Sequence, residues 1–270
     1  MLWPEMVSVD AVWSIGHGTR ITSGSPQGVF FQATRNEREV SRMPLSGTAM
    51  LINFMNVDPE GEDDFNRWYD KEHLAERVAI PGFLEARRYV AESAPQRYLG
   101  IYTTETFQVL KTPVYEERLA NPTPWSKRNL NRFRDATRAC TRVKLTRGEG
   151  RGSALSFIRL RPTEPGNEEL FEEIASRADA VLDLDGVLSI HLVASDPDLS
   201  VPLTESADAV AGASDWYVLI DATTQDAATA ARNTLDPSNL TTVAQVVFEA
   251  RYRLLWDLSG SELEDGTKGG

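Results

Sequence analysis

Cysteine is almost missing from this chain of 270 residues: Cys140 is its one thiol. One thiol closes no internal disulfide and builds no thiolate metal site, so a buried, inert Cys140 and a reducing compartment, the cytoplasm, are expected. Histidine is nearly as scarce, and His17, His73 and His191 stand too far apart for a tight metal-ligand spacing, so no metal is expected. No apolar run approaches the ~18 residues that span a bilayer. The N-terminus lacks a charged start followed by an apolar stretch, so neither a membrane nor a secretory route is indicated. Positive charge is short: 28 Lys and Arg against 40 Asp and Glu leave a net charge of -12. Such a surface repels phosphate backbones and argues against nucleic acid. There is no Gly-x-Ser-x-Gly elbow and no dinucleotide fingerprint after a strand. The glycines of Gly148-Glu149-Gly150-Arg151-Gly152 lack the lysine and hydroxyl residue of a phosphate loop and read as a linker.

What remains is an ordinary globular composition, 41% hydrophobic and 25% charged. Residues 1–46 hold no lasting period and are read as a disordered or loosely attached extension. The apolar run 49–57 is a strand. Asp58 is placed to cap the following helix and Pro59 to fill its first turn. That helix runs to about Val78, buries Phe65, Trp68, Tyr69 and Leu74, and stops at Pro81-Gly82. Strands at 83–91 and 97–105 come next. A helical region from about Thr106 to Leu119 is broken at Pro113, Asn121-Pro122-Thr123-Pro124 is a rigid loop, and a strand lies near 137–145. The second half repeats the order: strand 154–161, helix Thr163 to about Leu184, strands 187–194 and 215–221, helix Thr224 to about Thr234, and strand 244–256.

Setting Met50–Val57 against Ala154–Arg161 brings Gly82 opposite Gly186 at the same offset of 104 residues. The expected fold is therefore α+β, a tandem repeat of two ferredoxin-like β-α-β-β-α-β units over 47–147 and 153–256. The linker is 148–152 and a flexible tail covers 257–270. Each antiparallel sheet carries helices on one face, so the other face needs cover. Sheet against sheet, between the halves or between subunits of a homodimer, gives a barrel-like interior.

Asn66-Arg67-Trp68-Tyr69-Asp70-Lys71-Glu72-His73-Leu74, then Ile80-Pro81-Gly82-Phe83 and Arg87-Arg88-Tyr89, resembles the EthD-like branch of the dimeric α/β-barrel superfamily. The likeness spans about 48–145; the second half matches by layout alone. It implies a barrel with a small-molecule pocket. Relatives include lactone isomerases, cofactor-free monooxygenases, polyketide-modifying enzymes, haem-dependent enzymes and proteins without known activity, so it does not fix a reaction.

His73 is the leading candidate for chemistry, one turn after Tyr69 and able to give or take a proton near neutral pH. Asp70 is spaced to fix its tautomer. The other reading is a histidine that bonds a backbone carbonyl and ties helix to sheet. Strand alternation puts Phe83, Glu85, Arg87 and Tyr89 on one face of 83–90, and Leu84, Ala86, Arg88 and Val90 on the other. The first face, with Tyr98 and Tyr102 of the next strand, is expected to line the barrel interior around an aromatic ligand. Trp68 and Tyr69 join that site, Arg87 holds a carboxylate or enolate oxygen, and His191 occupies Arg87's position in the second half as a pocket residue or a satisfied core histidine. Trp125 is a lid or a packing anchor. The expected activity is a cofactor-free isomerase, lyase or monooxygenase acting by proton transfer on an aromatic or polyketide-like molecule. The alternatives are a non-catalytic binding or stress-related protein and, as the resemblance permits, a haem protein ligated by His73.

Overall fold

The apolar run Ala49–Val57 becomes strand β1. Leu51 and Met55 enter one hydrophobic cluster while Met50, Ile52 and Phe54 enter another. A strand covered on both faces reads as continuously apolar. The computed structural model describes residues 45–91, 94–164, 166–200 and 212–266. The expected extension up to residue 44 and part of the loop 195–214 lie outside the described residues.

A 3-10 turn at Pro59–Gly61 leads into helices α1 (Glu62–Trp68) and α2 (Leu74–Val78), joined by a π-helical turn at Tyr69–His73. The Asp58 side chain does not cap them; its carboxylate pairs with Arg134 at 2.5 Å. Strands β2 (Phe83–Ala91) and β3 (Tyr98–Thr104) follow. Pro113 and Pro124, read as a helix break and part of a loop, instead open helices α3 (Pro113–Ala120) and α4 (Pro124–Leu130). Thr112 and Thr123 precede them, and their hydroxyls accept the N–H of Tyr115 and Ser126. The chain continues through β4 (Phe133–Gly148), β5 (Ala154–Pro162), α5 (Glu168–Leu182), β6 (Val187–Ser195), β7 (Trp216–Ala222), α6 (Gln225–Leu235), β8 (Ala244–Ser259) and α7 (Gly260–Gly266). The last strand and helix thus occupy most of the stretch read as a tail. Among the described residues no helix is long and apolar enough to cross a membrane.

The eight strands close into an antiparallel barrel in the order β1-β3-β2-β8-β5-β7-β6-β4. Each half contributes four strands, β4-β1-β3-β2 and β8-β5-β7-β6, and the seams are the pairs β2–β8 and β4–β6. Closure leaves no sheet edge among these strands. Each half covers the bare sheet face of the other, so burial no longer calls for a second subunit. Gly82 and Gly186 hold the same post in the two halves: both have positive φ (88° and 79°), and their carbonyls accept the N–H of Glu105 and Thr223. Gly152 is fixed by close approach, since a Cβ there would lie 1.8 Å from the Ala222 oxygen.

The barrel interior is full. Phe54, Phe157, Tyr217 and Phe248 pack ring against ring with centroids 5.5–6.0 Å apart, beside Tyr89, Leu99, Ile101 and Tyr252. At one end Arg87 of β2 reaches Asp221 of β7 at 3.3 Å, both fully buried, and donates to the Tyr89 hydroxyl at 3.0 Å. Asp221 also accepts the Gly152 N–H at 3.3 Å. Glu85 accepts from Thr103 at 3.0 Å and pairs with Arg151 of the linker. This cluster ties the halves together across the seam. Asp221→Ala leaves a buried guanidinium uncompensated and is expected to cost about 3–5 kcal/mol in urea unfolding. The double variant Arg87→Met with Asp221→Leu should cost much less. A single substitution costing under about 1 kcal/mol would contradict this role for the pair.

Candidate active site

The residues expected to form one pocket fall on opposite faces of the first sheet. Glu85, Arg87 and Tyr89 face the barrel interior with His191, as the alternation of β2 implies. Phe83, Tyr98 and Tyr102 do not line that interior: they pack beneath the helices with Trp68 and Tyr69. Two facts explain the difference. The register of β2 on β3 shifts between Phe83 and Glu85, and a one-residue slip sends a side chain to the other face. On β3 the aliphatic residues Leu99 and Ile101, not the tyrosines, enter the barrel.

His73 lies in the layer between α1–α2 and the sheet, 5% exposed. Its ring packs against Trp68 at 4.2 Å, Tyr69 at 4.9 Å and Tyr102 at 6.3 Å between centroids. Buried Nδ1 has no hydrogen-bond partner, so no backbone carbonyl ties this histidine down through that atom. The π turn places Trp68, Tyr69 and His73 on the buried side together, and π turns recur at functional sites. Asp70 does not orient His73: it accepts from Arg88 at 2.7 Å and from Trp256 Nε1 at 2.8 Å. Arg87, Glu85, Tyr89 and His191 are likewise separated from His73 by the sheet.

Arg88, on the face of the strand opposite the expected barrel wall, is the cation of this layer. Its guanidinium lies over the rings of Tyr69 at 4.5 Å, Phe65 at 5.3 Å and Tyr98 at 5.4 Å, and Asn66 accepts a hydrogen bond from it. The cage holds a positive charge with little water. Gly100 sits opposite Arg88 on β3, and a Cβ there would lie 3.5 Å from both the Tyr69 and Tyr102 hydroxyl oxygens. Burial, then Arg77 and Arg88, hold the His73 pKa well below its ordinary 6.5. Burial pushes the Tyr69 and Tyr102 hydroxyls upward. The layer therefore offers a neutral imidazole, two protonated phenols and two guanidinium charges. Arg77, Arg88, Asn66 and Gly100 were not singled out from the sequence; an arginine in the middle of a face assigned to core was the available signal.

The same layer in the second half has none of this chemistry. By strand register the Arg88–Gly100 pair corresponds to Leu192–Val218, and Ala86–Tyr102 to Ile190–Ile220. These pack with Leu170, Ile174 and Val181 in an aliphatic core. His73 has Arg177 at its offset, which pairs with Glu173 at 2.7 Å and donates to the Leu235 carbonyl.

His191 is a satisfied core histidine. Nδ1 meets the Thr146 hydroxyl at 3.2 Å and Nε2 the Ser189 hydroxyl at 3.1 Å, and Ser189 donates onward to the Gly150 carbonyl. Trp125 is an anchor, its Nε1 donating to Asp64 at 3.1 Å. A cavity of about 30 Å³ opens beside the His73 layer, lined by Glu76, Arg77, Arg118, Asn121, Pro122, Thr123 and Ser126. An open groove of about 500 Å³ in the second half offers one ionisable lining group, Glu249, already paired with Arg232.

No protein-family model and no curated protein matches the chain. Solved structures do. An anthrone oxidase-like protein aligns with 80% of this chain and 94% of its own at 11% identity, with a TM-score of 0.57. A candidate monooxygenase of Fusobacterium nucleatum subsp. nucleatum aligns with 80% of this chain and 96% of its own at 12% identity, with a TM-score of 0.52. With the closed antiparallel barrel and its outer helices, these likenesses show the fold, an α/β barrel of the dimeric type.

The two described histidines set an acid limit on stability. Burial, then neighbouring positive charge, lowers both pKa values, that of His191 to about 3. Below pH 6.5 the unfolded chain takes up protons that the folded chain refuses, so this stabilisation is complete above pH 6.5 and is lost as pH falls. His191 alone should lower the unfolding free energy by roughly 1.5 kcal/mol between pH 6.5 and 5, and His73 acts in the same direction. His191→Gln should remove the His191 part of that slope. An unchanged slope would contradict a neutral buried His191.

Proposed function

We propose that this chain is a cytoplasmic enzyme acting by proton transfer on a small aromatic or polyketide-like molecule, without metal or nucleotide, in the helix–sheet layer of its first half. The EthD-like branch is the proposed affiliation. One observation carries the reading. Equivalent layers of the two halves are built differently: the second is filled by apolar side chains, while the first holds unpaired His73 Nδ1, the adjoining Tyr69 and Tyr102 hydroxyls, and caged Arg88. A buried polar group without a partner costs stability and has a reason to be kept.

In this reading His73, neutral at pH 7, accepts a proton from a phenol or an activated carbon. Arg88 and Arg77 stabilise the enolate or phenolate that results, because their field acts in a layer from which water is excluded. Tyr69 and Tyr102 stay protonated and donate to the developing oxygen anion. The role first given to Arg87 passes to Arg88, since Arg87 is engaged with Asp221 on the far side of the sheet. Isomerisation, elimination and cofactor-free oxygenation share this first step, and oxidation is the chemistry in the names of both fold neighbours. Haem does not fit this layer without displacing Phe65, Trp68, Tyr69 and Tyr102 together, none more than 2% exposed; a single-ring substrate also needs side chains there to move, on a smaller scale.

A thermal-shift screen of phenols and aromatic ketones tests the site. A true ligand at a hundredfold excess over its Kd stabilises the fold by about 2.7 kcal/mol. Gly100→Ala fills the space between the two hydroxyls with only ordinary contacts. It is expected to keep or raise stability by about 0.5–1 kcal/mol, as Ala for Gly does in a strand, and to abolish the ligand shift. His73→Gln should keep binding and lower turnover about 100-fold or more. Full turnover in the folded His73→Gln variant would remove the general-base role. Binding without turnover in the native chain would favour a non-catalytic carrier.

A further inference from the structure

The cavity beside the His73 layer has a charge that nothing answers. Arg77 is 8% exposed and lines it, yet its guanidinium makes no hydrogen bond or ion pair among the described residues. Arg118 of α3 lines the same cavity and is likewise unpaired there. None of the Arg77 nitrogens is sealed from solvent, so a counter-anion that enters the cavity can reach them. Resident carboxylates do not fill that role. Glu72 is committed to the Trp68 indole, Thr123 and Ser126. Glu76 lines the cavity, but burial and then Glu72 push its carboxyl up, and it lies beyond ion-pair distance of either arginine. Asn121, Thr123 and Ser126 add polar groups to the wall. A volume of about 30 Å³ takes one or two water-sized groups, the size of a carboxylate.

Arg77 lines the cavity and its charge also acts on His73, Tyr69 and Tyr102, so the cavity adjoins the reactive layer. We infer that the substrate is an aromatic carboxylate, its acid group held by Arg77 and Arg118 and its ring projecting toward His73 and Gly100. This rests on the proposed site and names its substrate class. A planar fork suits a carboxylate, and the anion would supply the partner that Arg77 lacks.

The test is thermal shift and calorimetry on the full chain with benzoate, salicylate and 2-naphthoate, each against its amide, in the native protein and in Arg77→Met, Arg118→Gln and Gly100→Ala. Arg118 is exposed, so its variant folds, and Arg77→Met removes an unpaired buried charge and should be no less stable than the native chain. The expected result is at least tenfold tighter binding of an acid than of its amide, with that preference lost in the Arg77 and Arg118 variants. Equal response to acids and amides, including no response to either, overturns the inference. A preference that survives both arginine substitutions also overturns it. If phenols bind in a Gly100-dependent way without any acid preference, the site stands and carboxylate recognition falls. If acids bind through Arg77 while Gly100→Ala has no effect, the anion pocket stands and the reading of the His73 layer falls.

Discussion

Closure of the barrel on itself is the constraint from which the rest follows. Each half has a four-stranded sheet with helices on one side, and the bare sides meet each other. Pairing β2 with β8 and β4 with β6 removes every edge of the two sheets. The interior so formed is narrow, and Phe54, Phe157, Tyr217, Phe248 and Tyr252 fill it. Several polar groups inside pair with one another: Arg87 Nη1 with Asp221 and Tyr89, Glu85 with Thr103 and Arg151, His191 with Thr146 and Ser189. A full interior moves any small-molecule chemistry outward, into the layers beneath the helices.

There are two such layers, and comparison between them acts as an internal control. They share strand order, glycine turns and antiparallel register, so their differences cannot come from the architecture. Leu192 stands where the first half has Arg88, Val218 where it has Gly100, and Ile220 where it has Tyr102. A layer that needs only to hold helix to sheet is built as the second one is. The first keeps a guanidinium under three rings, a histidine without an anchor at Nδ1, and a glycine in mid-strand. The unanchored histidine and the mid-strand glycine each cost stability on their own.

Much of the fold was legible because its signals are local. Apolar runs bounded by Pro-Gly and Asp-Gly set the strands, and the offset of 104 residues pairs two glycines, Gly82 and Gly186, that both take positive φ. The start of α4 was missed because Pro124 sits in a Pro-rich stretch, and only the Thr123 hydroxyl on the Ser126 N–H reveals it as a helix start. His73, Trp68 and Tyr69 were legible as one group, but the side of the sheet they face was not. That depends on a register shift at Phe83, on the π turn at Tyr69–His73, and on which face of β3 enters the barrel. None of these is set by alternation within one strand. Arg87 and Arg88 are adjacent, so the error of one residue exchanged a structural ion pair for a cation of the candidate site.

The central claim is that ligands meet the first-half layer and not the barrel interior. Imidazole nitrogen NMR separates the two, because His73 marks the layer and His191 the interior, and single variants assign their signals. Addition of an aromatic ligand that stabilises the fold should shift the His73 nitrogens and leave those of His191 unmoved. A shift at His191 with His73 unchanged would place the ligand inside the barrel and contradict the account.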